Sequence, residues 1–273
     1  MKKARVLFVS SEITPYVPQT HISHIGRYLP QGIQDRGKEI RTFMPRFGCI
    51  NERRNQLHEV IRLSGMNIII NDTDHPLIIK VASIQAARMQ VYFIDNDEFF
   101  QRKAMLKNDK EVFFEDNDER SIFFCRGVLE TVKKLGWSPD IIHCHGWMTA
   151  VMPLLVKKVY NEEPLFSNSK VVYSIYNDEF DKPYNKNFGQ KVQMDGVSKD
   201  DIKHLKEPTF LNVTKTAIQH SDGVIVGDEK INADVSKYIK GLEKPQLGFK
   251  SPNEYMDAYN EFYDLILEEA MVS

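Results

Sequence analysis

Arg5-Val-Leu-Phe-Val-Ser10 is a continuous apolar run set between the basic start Met1-Lys2-Lys3 and the polar pair Ser11-Glu12. A strand that is apolar at every position has no solvent face, so it belongs inside a sheet covered on both sides. A turn-rich stretch with Pro15 and Pro18 follows. Ile22, Ile25, Leu29 and Ile33 then recur at helical spacing, and Gly37 ends the pattern. Residues 39–43 make a second strand, closed by Pro45.

The alternation continues down the chain. Strands are predicted over 140–145, 170–176 and 223–226, with helices over 116–135, 147–160, 211–220, 231–239 and 253–269. Such alternation implies parallel strands joined by helical crossovers. The expected fold is α/β: one domain over residues 1–273, a single Rossmann-like parallel sheet with helices on both faces. Residues 57–96 interrupt this with short β-type runs, punctuated by Asn71-Asp72, Asp74 and Pro76, and read as a hairpin-rich insertion. Residues 178–206 are polar and read as irregular and solvated. Active sites of such sheets lie beyond the C-terminal strand ends, here residues 10–12, 145–147, 176–177 and 227–228.

Composition removes several classes. Lys plus Arg is 36 and Asp plus Glu is 38, a net charge of −2 that argues against a nucleic-acid partner. No apolar run approaches the roughly 20 residues of a membrane span, and Val6 to Ser10 is too short for a signal-peptide core. Three cysteines (Cys49, Cys125 and Cys144) do not make a disulfide framework, so a cytoplasmic location is expected.

The bare residues offer little chemistry. His143 and His145 share one face of a strand, but nothing at ligand spacing completes a zinc set, so structural histidines and no metal are expected. His21 and His24 read as surface residues, and Cys125 as a core thiol. No glycine-rich nucleotide turn and no nucleophile or metalloprotease motif occurs, so no cofactor is expected.

A resemblance gives more. Val6-Leu-Phe-Val-Ser-Ser-Glu12-Ile-Thr-Pro15 resembles the first strand and loop of bacterial glycogen and starch synthases, I-L-F-V-S-S-E-x-x-P. Phe43-Met-Pro-Arg-Phe47, Tyr92-Phe-Ile-Asp-Asn96 and Asp118-Glu-Arg-Ser-Ile-Phe-Phe-Cys-Arg126 are similar to family segments in the same order. Leu135-Gly-Trp-Ser-Pro-Asp-Ile-Ile-His-Cys-His145 resembles L-G-W-x-P-D-I-I-H-x-H closely. The resemblance implies the N-terminal, acceptor-side half of a two-domain GT-B glucosyltransferase, with the second domain absent. Tyr255, Tyr259, Phe262, Tyr263 and Leu267 resemble the aromatic C-terminal helix that in the family packs back on this half. The family transfers glucose from ADP-glucose or UDP-glucose to an α-1,4-glucan.

Departures from the family pattern fall at its functional positions. The loop K-x-G-G-L reads Pro18-Gln19-Thr20-His21-Ile22, which removes a lysine and two glycines. The motif H-x-H-D-W-H reads His143-Cys-His145-Gly146-Trp147-Met148, and the histidine of T-x-H-N is Tyr176. No catalytic residue is therefore expected intact. Three readings follow: a catalytically inactive relative with a glucan-binding or regulatory role, with Glu12, His145, Trp147, Tyr176 and Asn177 as the candidate cleft; the N-terminal subunit of a split glycogen synthase; or a protein-interaction domain using the former interdomain face. Nucleotide-sugar binding by this chain alone is not expected, because a leaving diphosphate needs positive charge where charge develops.

Overall fold

The computed structural model describes residues 3–272, with side chains through Glu268. The run that opens the chain is strand β1 (Arg5–Ser10), and all but its first residue are buried. It leads through a loop to helix α1 (His21–Asp35), then to β2 (Glu39–Pro45). Thr20 caps α1: its hydroxyl oxygen accepts from the Ser23 N–H at 3.0 Å, and Ser23 Oγ receives the Thr20 N–H at 2.8 Å.

The insertion consists of β3 (His58–Glu59), β4 (Met66–Ile70) and β5 (Thr73–Ile84), all antiparallel, returning to the parallel sheet at β6 (Met89–Asp95). Asn71 and Asp72 carry φ of 51° and 61°, the pair of left-handed residues that a tight hairpin with right-handed strand twist requires. Pro76 does not break the run, contrary to the sequence reading. It lies inside the 12-residue β5, beyond Ile78, the last residue there that pairs with β6, so no ladder bond on that side asks for its N–H.

Helix α2 (Asp97–Phe100) leads to α3 (Asn117–Leu135), which starts with Asp118 and Glu119 in its first turn. It ends with Lys133 and Lys134 followed by left-handed Gly136, so its charges oppose the helix dipole at both ends. Strand β7 (Ile141–His145) follows. The helix expected over 147–160 is broken into a 3₁₀ turn, the short α4 (Met152–Leu154) and a π-helical turn (Leu155–Val159). Pro153 lacks an N–H and forces the restart at its own position. The remaining elements are β8 (Lys170–Ile175), α5 (Phe188–Lys191), α6 (Phe210–Gln219), β9 (Gly223–Val226), α7 (Ala233–Ile239), β10 (Gln246–Leu247) and α8 (Tyr255–Val272).

The strands form one sheet in the order β10-β9-β8-β7-β1-β2-β6-β5-β3, with β4 attached to β5. It is mixed rather than parallel throughout: β10 to β6 run parallel, and the insertion strands are antiparallel. The chain turns from one side of β1 to the other between β2 and β7, which makes the C-terminal end of β1 a topological switch point. One sheet face is covered by α3, α4 and α6, and the other by α1 and α8. Tyr255, Tyr259, Phe262, Tyr263 and Ile266 of α8 are buried against Val6, Phe8, Ile141 and Val172. Burying side chains of that size contributes about 1.5–3 kcal/mol each, so α8 is an integral layer of the domain. The segment 178–206 is irregular as expected, but it is not simply solvated. Phe180, Tyr184 and Phe188 are buried, and Lys191 sits between Asp118 and Glu119 at 2.6 and 2.8 Å.

Candidate functional site

The C-terminal ends of β1, β7, β8 and β9 converge at the switch point. Along β7, Ile141, His143 and His145 face α8, while Ile142 and Cys144 face the other layer. The two imidazoles lie 3.9 Å apart between centroids. Hydroxyls engage both nitrogens of His143: Tyr263 Oη at Nδ1, 2.6 Å, and Ser174 Oγ at Nε2, 2.7 Å. Burial pushes the His143 pKa well below the usual histidine range and that of His145 down to about 3, so both rings are neutral at physiological pH. Among the described residues, no group of three or more His, Cys, Asp or Glu side chains is placed to hold a metal ion.

Of the five residues expected to line a cleft, three are interior. Tyr176 is 0%, His145 1% and Trp147 4% exposed, so none presents a ring face on which a sugar could stack. Trp147 is held edge-on to Phe180 and Tyr184 in an aromatic cluster with Phe113, at 5.3, 5.9 and 5.4 Å between centroids. Tyr176 shares a hydrogen bond of 2.8 Å with His145 Nδ1. Its ring lies so close to Gly227 that a Cβ there would stand 2.6 Å from Tyr176 Cε1. The His21 ring meets it edge-on at 5.9 Å. Met148, at 1% exposure, is core as well.

Glu12 and Asn177 do reach the surface, and Asp178 and Asp228 join them. Thr20 Oγ1 donates to Glu12 Oε2, and His21 Nδ1 pairs with Asp228 Oδ1. The Asn177 N–H donates to Asp228 Oδ2 at 2.7 Å, and the Trp147 N–H to Asp178 Oδ2 at 3.0 Å. Gly146 has φ of 73°, and a Cβ on it would overlap Asp178 Oδ2. The carboxylate of Asp178 thus fills the space that a side chain at 146 would need. Burial pushes the Asp178 pKa up to about 7 against the Trp147 hydrogen bond, with Glu12 and Asp228 adding like charge. Burial also raises Glu12, and the Thr20 bond only partly offsets it. At Asp228 the balance is reversed: burial raises the pKa, but the bonds from His21 and Asn177 hold it below the usual value.

Beside these groups lies a small cavity of about 220 Å³ walled by Glu12, Lys107, Asn177, Asp178, Glu179 and the edge of Trp147. It adjoins a wider groove of about 870 Å³ that Glu12, Tyr16, Pro18, Thr20 and residues 104–107 line. Pro18 and Thr20 are exposed, and Thr20 is spent on capping α1. Three acids and one lysine, Lys107, therefore face the small cavity. Asp178 was missed in the sequence because it continues an irregular polar stretch, and only the β8 turn brings it beside Gly146.

A mixed, doubly wound sheet covered by helices on both faces, with a C-terminal helix packed on one of them, defines a class, the Rossmann-like α/β fold. The chain aligns with the catalytic domain of starch synthase IV from Arabidopsis thaliana, solved with ADP and acarbose, at a TM-score of 0.74 and 18% identity over 91% of this chain and 51% of that one. Sequence then gives the family. Residues 5–244 match the starch synthase catalytic domain, and the chain belongs to that family. It is 39% identical to a glycogen synthase of Chlorobium chlorochromatii over 64% of this chain and 36% of the relative. To a glycogen synthase of Chlorobaculum tepidum it is 33% identical over 90% of this chain and 49% of the relative. The chain thus spans half or less of the length of these curated relatives. Among the described residues, no helix is long and apolar enough to cross a membrane.

Proposed function

We propose that this domain binds an α-glucan on its strand-end surface and, by itself, neither binds a nucleotide-sugar nor transfers glucose. The observation that carries the reading is the charge at the switch point. Where a diphosphate needs cations and free N–H groups, Glu12, Asp178 and Asp228 gather, and the first turn of α1 is capped by its own Thr20. Tyr176 occupies the space beside Gly227, and the His21 ring lies edge-on to it. The residues at Pro18, Thr20, His21, Gly146, Met148 and Tyr176 supply none of the family's expected catalytic groups. Neutral sugar hydroxyls suit the surface that remains: carboxylates accept from them, and Asn177 both donates and accepts.

A second reading has one observation in its favour, the length of the relatives. As the acceptor-side half of a glycogen synthase, the domain would meet its donor-binding half as a separate region or partner, which then must bring the phosphate-binding cations. The test is calorimetry with maltoheptaose on the chain and on Glu12→Gln and Asn177→Ala. Saturable binding weakened severalfold by both changes is expected. Absence of binding, or binding indifferent to both, would overturn glucan recognition at this surface.

A further inference from the structure

Six lysines punctuate residues 178–206, and they fall into two groups. Lys182 pairs with Glu115 at 3.1 Å, Lys191 with Asp118 at 2.6 Å and Lys203 with Asp200 at 3.2 Å. The other three, Lys186, Lys199 and Lys206, make no ion pair among the described residues, and all three line one concavity of about 360 Å³. It opens between α5 and the 3₁₀ turn Lys203–Lys206. No Asp or Glu lines it. All three are exposed, and Asp195, Asp200 and Asp201 of the same stretch are not among the lining residues.

We propose that this concavity binds a small phosphomonoester. Lysine is a phosphate binder that acts as a point charge, and three of them match a dianion. Gln190 and Gln193 line the same hollow and carry both donors and acceptors for the hydroxyls of the ester's body. Ile202 and Leu205 give that body an apolar floor. The volume is at the lower end of the roughly 300–1,000 Å³ of small-molecule sites, which fits a phosphorylated metabolite rather than a polymer. None of these residues borders the two strand-end cavities, so the proposal stands apart from the glucan reading.

The test titrates the whole chain at low salt with ribose 5-phosphate, inorganic phosphate and ribose, each read by calorimetry. Ribose 5-phosphate is expected to bind saturably at one site, inorganic phosphate more weakly, and ribose not at all. The triple change Lys186→Gln, Lys199→Gln and Lys206→Gln should weaken ribose 5-phosphate at least tenfold with the thermal melt unchanged. Gln190→Ala should weaken ribose 5-phosphate but not inorganic phosphate. Raising the salt should weaken both, because exposed charges are screened beyond roughly 10 Å at 0.1 M. If the triple variant loses its cooperative melt, the three single variants decide, each with a severalfold loss expected. No saturable heat from either phosphate, binding that survives the lysine changes, or inorganic phosphate bound as tightly as ribose 5-phosphate would overturn the proposal.

Discussion

Strands β1, β7 and β8 are built by one rule up to their last residue and by another just beyond it. Inside the sheet, Val6, Phe8, Ile141 and Val172 alternate with Leu7, Val9, Ile142 and Val171, so both faces are apolar and dry. Even the polar His143 is satisfied at both nitrogens. Two or three residues past the ends of β1, β8 and β9 stand Glu12, Asp178 and Asp228, two of them with raised pKa values. The interior is where burial sets stability. At the ends, Glu12 and Asp178 carry charge at a cost in stability, and groups of that kind concentrate at binding sites.

The contrast can be tested from the interior outward. Phe8 touches His143, His145 and Tyr263 at centroid distances of 5.9, 6.3 and 6.4 Å. Phe8→Ala should therefore cost about 3–5 kcal/mol in urea unfolding, as large-to-small core changes do. Tyr263→Phe keeps the ring and removes the hydroxyl at His143 Nδ1. Leaving that buried nitrogen unpartnered should cost about 1–3 kcal/mol. A loss near zero for either would place the support of the sheet elsewhere.

Asp178 should behave in the opposite way. Its folded pKa of about 7 lies above the unfolded value of about 3.9. Between the two, the folded state holds more protons than the unfolded state, so stability from this group is present at low pH and falls as pH rises towards 7. Asp178→Asn keeps an acceptor for the Trp147 N–H. It should melt higher than the parent at pH 8, with the gap closing at pH 5. A gap that widens on acidification would show that the carboxylate is instead stabilised by its surroundings. The smallest effect is expected at His21→Gln, where the partly exposed pair with Asp228 is lost. Exposed ion pairs contribute up to about 1 kcal/mol, and a larger loss in a denaturant melt would mean that His21 also supports Tyr176.

The same division explains what could be read from the residues alone. The parallel strands, α1, α3 and the aromatic face of α8 were legible because burial writes itself as periodicity. The shared face of His143 and His145 followed from the two-residue period of a strand. Pro76 misled, because its cost depends on which side of β5 is paired. Pro153 misled in the other direction, since an apolar stripe does not record a missing N–H. Trp147, His145 and Tyr176 were placed in an open cleft by their position at strand ends. In fact, residue 113 from one irregular stretch and residues 180 and 184 from another pack around Trp147, and local spacing carries no signal of that. Asp178 lay equally out of reach, because its role depends on the space left by Gly146.

The most direct test of the proposal that the acidic switch point excludes a nucleotide-sugar is titration of the chain with ADP-glucose and UDP-glucose, followed by a glucosyl-transfer assay on maltoheptaose. Neither saturable nucleotide-sugar binding nor transfer is expected. Saturable binding of either donor, or measurable transfer by the chain alone, would contradict the account.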